Sequence, residues 1–243
     1  MEPRGISKVN SNMNLDQFEE LVLHRSAVRA FTPESVSREL LERLLRITQR
    51  SPSGLNLQPV QFYVVRQKQM KERLLRPCIG QKTVLSAPAL VLFAADRDAS
   101  KHNFERVLKE DVRLAAIPED RCDFCRNLNE LCFSTKPLGI GWLAKCLFTP
   151  FLRLFTPVPD IPAINKRAWL DRHIGLSAMT FMLAAESAGL ASCPISSFDE
   201  SRVKRVLGIP RRFVLPLMVA VGHAAERPPV RSRLPFEEIV HWS

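Results

Sequence analysis

The chain has 243 residues, enough to bury one substantial core, and no break in composition divides it into two independent domains. Hydrophobic residues at 46% and charged residues at 25% exclude a disordered chain or a fibre. Thirty-five Lys and Arg against 25 Asp and Glu leave a net charge of +10. That balance reads either as a solvated basic exterior or as attraction for an anionic partner: a phosphate ligand, a nucleic acid or an acidic membrane surface.

Residues 1–13 are polar and expected to be a loose tail ahead of a single domain over 14–243. Asn14 can cap a helix in which Leu15, Phe18, Leu21 and Val22 recur at helical spacing up to about Leu23. The segment His24 to Phe31, HRSAVRAF, carries Arg25 and Arg29 in an expected turn. Ser35 or Ser37 then caps a second helix, with Leu40, Leu41, Leu44, Leu45 and Ile47 as its buried stripe. The stretch SPSGLNLQPVQFYVV, Ser51 to Val65, joins a loop to a strand. Pro52 fixes its own φ and Gly54 removes a Cβ, while Ser53, Asn56, Gln58 and Gln61 add uncharged donors and acceptors. Phe62 to Val65 is aromatic and β-branched, as a strand requires. Alone, this stretch reads as a polar turn feeding a strand before it reads as a site.

A short basic helix over Met70 to Leu75 and a turn over Pro77 to Gln81 lead to Ala89–Ala95, apolar throughout and so a central strand. His102 to Cys132 is predicted to be helical. From about 133 to 166 the chain is rich in Phe, Leu and Pro, with Lys145 and Arg153 interrupting the run and Pro150 expected to break it, so it is no membrane-spanning helix. A lid over a pocket, or extra core, is favoured over contact of residues 138–158 with a membrane surface. Asp171 to Gly189 is predicted to be a helix buried nearly all round and stopped by Gly189. A strand over Leu190 to Pro194, a turn over Pro194 to Phe198, a helix over Asp199 to Leu207, a strand over Val214 to Gly222 and a short last helix complete the chain.

Of six cysteines, only Cys122 and Cys125 have CxxC spacing, and no second pair or nearby His completes four zinc ligands. With Cys132 they share one helix face and are expected to be small buried residues, with no metal bound. The first 14 residues lack an apolar core of signal-peptide length, which predicts reduced thiols and a cytoplasmic protein. No P-loop, no GxGxxG after a strand, and no HExxH or GxSxG is present, so neither a dinucleotide fold nor a hydrolase is supported.

Four separated segments hold the plausible ligand groups: Arg25 with Arg29, the 51–58 loop, the 194–197 turn, and Arg231 with Arg233. Arginine pairs near the two ends of the chain suit one phosphate if those ends meet in space, because guanidinium offers fixed multidentate donors. In order along the chain, the segments RSAVRAF (25–31), SPSGLNLQP (51–59), Ala87-Pro88 before a strand, Ala184-Ala185 to Gly189-Leu190, and RSRLP (231–235) resemble the FMN-dependent nitroreductase family over most of residues 18–240. The resemblance implies an α+β fold, layered, with a mostly antiparallel central sheet flanked by helices. It implies FMN as bound cofactor, NADH or NADPH as donor, and a homodimer with two shared sites.

On that resemblance, Arg25, Arg231 and Arg233 hold the FMN phosphate, Ser26, Ala27 and Arg29 lie along the flavin, and Arg29 is nearer its N1 and O2 side. Pro52, Ser53, Gly54 and Asn56 approach the ring from the partner subunit. Gln81 lies at the pyrimidine edge. Pro194, Ile195, Ser196 and Ser197 lie beside N5, with the backbone N–H of Ser197 as its donor. Two departures from the family pattern stand out: Ala27 where Ser is common, and Ser196-Ser197 where Glu-Gly is common. The implied reaction moves two electrons by ping-pong from the nicotinamide donor to a small aromatic acceptor such as a nitroaromatic or quinone, with the 133–166 insert as roof. Two other readings stand beside it. One is a reductive dehalogenase or other variant on the flavin fold, although Ala27-Val28 argues against a flavin-fragmenting enzyme. The other is a non-catalytic FMN-binding or membrane-surface protein. Few strands interleave aromatic and basic residues, so nucleic acid is not an expected partner.

Overall fold

The computed structural model describes residues 14–134, 140–157 and 162–243. Its frame is one four-stranded sheet made of β1 (Val60–Val65), β2 (Ala89–Asp96), β3 (Ala191–Ile195) and β4 (Phe213–Gly222). The order is β1-β2-β4-β3 and every pairing is antiparallel. All eight residues of β2 are buried, which explains why its sequence shows no alternation: helices cover both of its faces.

Successive side chains of β2 divide between two cores. Val91, Phe93 and Ala95 face a cluster containing Leu41, Leu44, Leu170, Ile174 and Phe181. Leu90, Leu92 and Ala94 face another containing Val28, Leu74, Val84 and Val203. Phe93 meets Phe62 and Phe181 edge-on, with ring centroids 5.5 and 5.8 Å away. The helices fall in order as α1 (Leu15–His24), α2 (Arg38–Thr48), α3 (Lys68–Leu75), α4 (Lys82–Ser86), α5 (Ala99–His102), α6 (Phe104–Arg113), α7 (Cys122–Phe133), α8 (Ile140–Leu152), α9 (Lys166–Ser187), α10 (Glu200–Leu207) and α11 (Phe236–Ile239). Helices α2 and α9 pack on the first face, and α3, α4 and α10 on the second. The layered α+β architecture expected from sequence is present.

Asn14 and Ser37 cap α1 and α2 as expected, Asn14 through a reciprocal bond with Gln17. Elsewhere tertiary context altered the reading. Ile47 is exposed, and the third buried residue of α2 is Thr48, whose hydroxyl donates to the Leu44 carbonyl. Residues 24–31 are not a free turn. Ala27 forms a bridge with Ser192, and Phe31 with Ala224. The helical run expected over 102–132 is two helices, α6 and α7, because the chain reverses at Ala115, with φ +54°, and turns again at Pro118. No residue of α7 is buried, so Cys122, Cys125 and Cys132 are half-buried; the first two pack against the core edge.

Helix α9 is not buried all round. Its buried residues include Trp169, His173, Ile174, Phe181 and Glu186, whereas Gly175, Leu176 and Met179 form an exposed stripe at helical spacing. Pro150 does not break α8, which runs on to Leu152, because a proline so near the C-terminal end disturbs only the last turns. The middle of the insert is not core within this chain, since Leu147, Phe148 and Phe155 are more than 60% exposed, whereas at its ends Phe133 meets the Trp169 ring edge-on and Ala163 is buried. Residues 1–13, 135–139 and 158–161 lie outside the described residues, and with them the expectation of a loose N-terminal tail.

Candidate active site

The RSAVR segment is held between the two ends of the chain. The Val28 amide donates to the Ser192 carbonyl (3.1 Å), Thr32 to His223 (2.9 Å), and the Ala225 amide to Ala30 (3.0 Å). At its start, Arg227 donates to the His24 carbonyl (3.3 Å) and to the carboxylate of Glu186 (2.8 Å), which also meets His24 Nδ1 at 2.7 Å. The Glu186 side chain is only 1% exposed, so a buried carboxylate holds the more exposed His24 and Arg227 and ties α1, α9 and the C-terminal segment together. Arg231 follows four residues after Arg227, within about 14 Å of extended chain. The second arginine pair therefore begins within that reach of the anchor. Arg231 and Arg233 are exposed.

Arg25 has a buried Nε with no acceptor among the described residues. A buried guanidinium donor without a partner is costly, and an anion supplies what it lacks. The backbone carbonyl of Arg29 accepts from Thr83 Oγ1 (3.2 Å) and Ser86 Oγ (3.3 Å), which fixes this residue against α4. Its charge reaches Cys193, whose thiol burial nevertheless pushes up. Arg29 therefore sits beside the strand that ends in the Pro194 turn.

That turn is fastened by Gln81. Its amide donates to the Ser197 carbonyl (2.6 Å) and to the Cys78 carbonyl (3.1 Å). The Phe198 amide returns to the Ser196 carbonyl (3.1 Å), and the Asp199 amide to Pro77 (2.9 Å). Pro194, Ser196 and Ser197 are exposed, while Ile195 is buried in the core, so Ile195 offers the site only its backbone. Ala27 likewise packs its methyl against the core, and the partly exposed Ser26 precedes it. Arg25, Arg29, Gln81 and the 194–197 turn thus form one group, whose donors suit a phosphate at one end and a flat polar ring edge at the other.

The 51–58 loop forms a second group. Leu55, Asn56 and Gln58 all take positive φ, at 52°, 50° and 46°, whereas Gly54 does not. A Cβ at Gly54 would reach only ordinary contact, 3.5 Å, with the Trp169 ring. The strain therefore falls on side-chain-bearing residues, and side-chain bonds offset it. Asn56 donates to both oxygens of Asp111 (3.2 Å each), Asn103 donates to the Leu57 carbonyl (2.9 Å), and Ser53 Oγ accepts from the Gln58 amide (2.9 Å). The Gly54 amide donates to His173 Nε2 at 3.0 Å. His173 Nδ1 lies 2.6 Å from the Trp169 carbonyl, which can only accept, so the proton is on Nδ1 and Nε2 is the free acceptor. Burial holds His173 below the ordinary histidine range, which keeps that neutral form. Sequence reasoning missed His173, Asp111 and Glu186: His173 and Glu186 are single polar residues on the long helix α9, and Asp111 is one charge among many on α6.

The two groups flank opposite edges of the sheet, since the loop enters β1 and the turn leaves β3. Three interstrand spacings, about 14 Å, separate those edges. Among the described residues, no hydrogen bond or ion pair joins the two groups. A cleft of about 540 Å³ adjoins the loop, lined by Pro52, Ser53, Gln58, Phe62, His173 and others, and it includes neither Arg25 nor Arg29 nor any residue of 140–157. Among the described residues, no group of His, Cys, Asp and Glu is placed to hold a metal ion. No helix there is long and apolar enough to cross a membrane.

Comparison with known proteins identifies the family of this fold. A 4-nitrobenzoate reductase of Pseudomonas putida is 30% identical over 91% of this chain and 92% of its own. An NADH dehydrogenase of Thermus thermophilus is 27% identical over 90% and 93%. A structure described as a nitroreductase in complex with FMN, from Exiguobacterium sibiricum, shares the fold with a TM-score of 0.71 at 20% identity, covering 93% of this chain and 97% of that one. The family model described as the nitroreductase family matches residues 22–223, and the chain belongs to that family.

Proposed function

We propose that this NAD(P)H-dependent FMN oxidoreductase works by ping-pong as a homodimer, passing two electrons from NADH or NADPH to a small aromatic acceptor such as a nitroaromatic or quinone. The observation that carries the proposal is the division of the site: donors for a phosphate and a ring edge in one group, an uncharged loop in another, at opposite edges of one sheet. A second copy brings the loop of one subunit to the arginines of the other.

FMN, when bound, supplies the two-electron chemistry. Arg25, Arg231 and Arg233 hold its phosphate, and the unpartnered Nε of Arg25 fits an anion there. Arg29 lies toward the pyrimidine side. Gln81 acts first on the protein: by gripping the Ser197 carbonyl it fixes the peptides of the turn, so that the Ser197 N–H faces the ring. Ser196 and Ser197 bring no charge to that place. The partner's loop, with Pro52, Ser53 and Gly54 foremost, forms a neutral wall that excludes water, while Asn56 steadies it through Asp111. No strong acid or base from the chain is required.

Purified protein is expected to bind FMN with a yellow absorption band that NADH or NADPH bleaches and a nitroaromatic or quinone restores. Arg231→Ala with Arg233→Ala removes charge-assisted bonds together worth about 3 kcal/mol, so FMN affinity falls on the order of 100-fold. Protein that cannot be loaded with FMN, or a double variant that binds it unchanged, overturns the assignment.

A further inference from the structure

The insert exposes a surface that the oxidoreductase reading does not use. Trp142, Leu147, Phe148, Phe151, Leu154 and Phe155 are each at least 44% exposed. Phe151 and Phe155 stand edge-to-face, 5.1 Å apart, as a ready-made pair. Thr149 is the buried side chain of α8 among those described. The apolar surface therefore runs around most of the helix instead of forming one stripe, unlike the row on α9. A narrow row suits a fixed protein partner; a broad apolar arc suits a solvent that conforms to it.

Charge selects which solvent. From Leu131 to Pro159 there is no Asp or Glu, while Lys136, Lys145 and Arg153 are present in a chain of net charge +10. Lys145 is engaged at the base of the insert, where its ammonium donates to the Leu131 and Ser134 carbonyls at the end of α7. That tether sets α8 firmly on the body of the protein. Arg153 is exposed among the aromatic residues. At 13 residues α8 is about 20 Å long, short of the roughly 30 Å hydrocarbon core of a bilayer, so it can lie in an interface but cannot cross it.

We propose that α8 and the turn after it dock this protein on the surface of an anionic lipid bilayer, with Phe148, Phe151 and Phe155 entering the headgroup boundary and Arg153 at the lipid phosphates. The test is co-sedimentation of the full chain with vesicles of phosphatidylcholine alone and of an equimolar mixture with phosphatidylglycerol, at low and high salt. The parent protein is expected to pellet with the mixed vesicles, to lose binding at least about tenfold on phosphatidylcholine alone, and to weaken with salt. Phe148→Glu with Phe155→Glu, and separately Arg153→Glu, abolish or weaken pelleting while leaving the circular dichroism and FMN content of the parent. Because these side chains are exposed, the variants are expected to fold. No pelleting of the parent, equal binding to both vesicles, or unchanged binding of the Phe148/Phe155 variant overturns the proposal. So does a shift of that variant from dimer to monomer in sedimentation velocity while the parent ignores vesicles, since the face would then be covered by a second copy.

Discussion

At the residue scale, His173 shows how much of the loop's shape depends on one tautomer. With its Nδ1 proton committed to the Trp169 carbonyl, the ring offers Nε2 to the Gly54 amide, and protonation would set two donors against each other. His173→Ala leaves that amide without its acceptor and is expected to cost about 1–3 kcal/mol in denaturant unfolding. FMN affinity should drop with it. The pH dependence has a definite sign. Burial lowers the folded-state pKa of His173, so the unfolded chain takes up the proton first as pH falls through the ordinary histidine range near about 6.5. The stability the neutral ring contributes is full above that range and falls as pH drops from it toward the lowered folded-state value. Unfolding titrations at pH about 5.5 and about 7.5 should show an acid-side loss in the parent that is smaller in His173→Ala. Cys78, by contrast, has its thiol pushed up to about 11 by burial and is expected to resist alkylation in the folded protein.

At the element scale, the sheet is sensitive where β4 ends. A Cβ on Gly222 would come within 2.4 Å of Pro88 Cδ and 2.7 Å of its Cγ, with Phe31 at 3.2 Å behind. Gly222 is thus small because the segment before β2 and the RSAVRAF segment both cross it closely, and its backbone needs no positive φ. Gly222→Ala is expected to lower stability by about 1–3 kcal/mol, read as a fall in the urea midpoint with an unchanged slope. The loop before β1 behaves in the opposite manner. Gly54 tolerates a methyl group sterically, and Gly54→Ala is expected to change stability by less than about 1 kcal/mol. Elements with a strong period or an unbroken apolar run, such as α2, β2 and β4, were legible from sequence because their own residues decide them. The reversal at Ala115 and the exposed row of α9 were not, because each depends on what lies opposite.

At the scale of the whole molecule, the C-terminal arm points to the assembly. Val230 and Trp242 are 92% and 88% exposed, and Leu234, Phe236 and Ile239 are exposed with them. Leu176 and Met179 on α9 are exposed as well, and such side chains are candidates for cover by a second copy. Removing residues 236–243 is expected to weaken the proposed homodimer, measured as a concentration-dependent shift toward monomer in sedimentation velocity. FMN affinity should fall in step, since each site would draw on both subunits. An unchanged dimer would place the interface elsewhere.

The apolar strands, the capped helices, the lack of nucleotide and hydrolase motifs, and the order of short segments that marks the family can all be read from the chain alone. These are local: each is written in neighbouring residues and in the 2.0 or 3.6 period of their burial. Only the tertiary structure decided that Arg227 and Glu186 tie the two ends of the chain together, that Gln81 grips the Ser197 turn, and that His173 carries the 51–58 loop. Only it showed that this loop and the arginines stand at opposite edges of one sheet. Those facts join residues from 41 to 162 positions apart, and nothing in the local pattern of either partner records the distance between them.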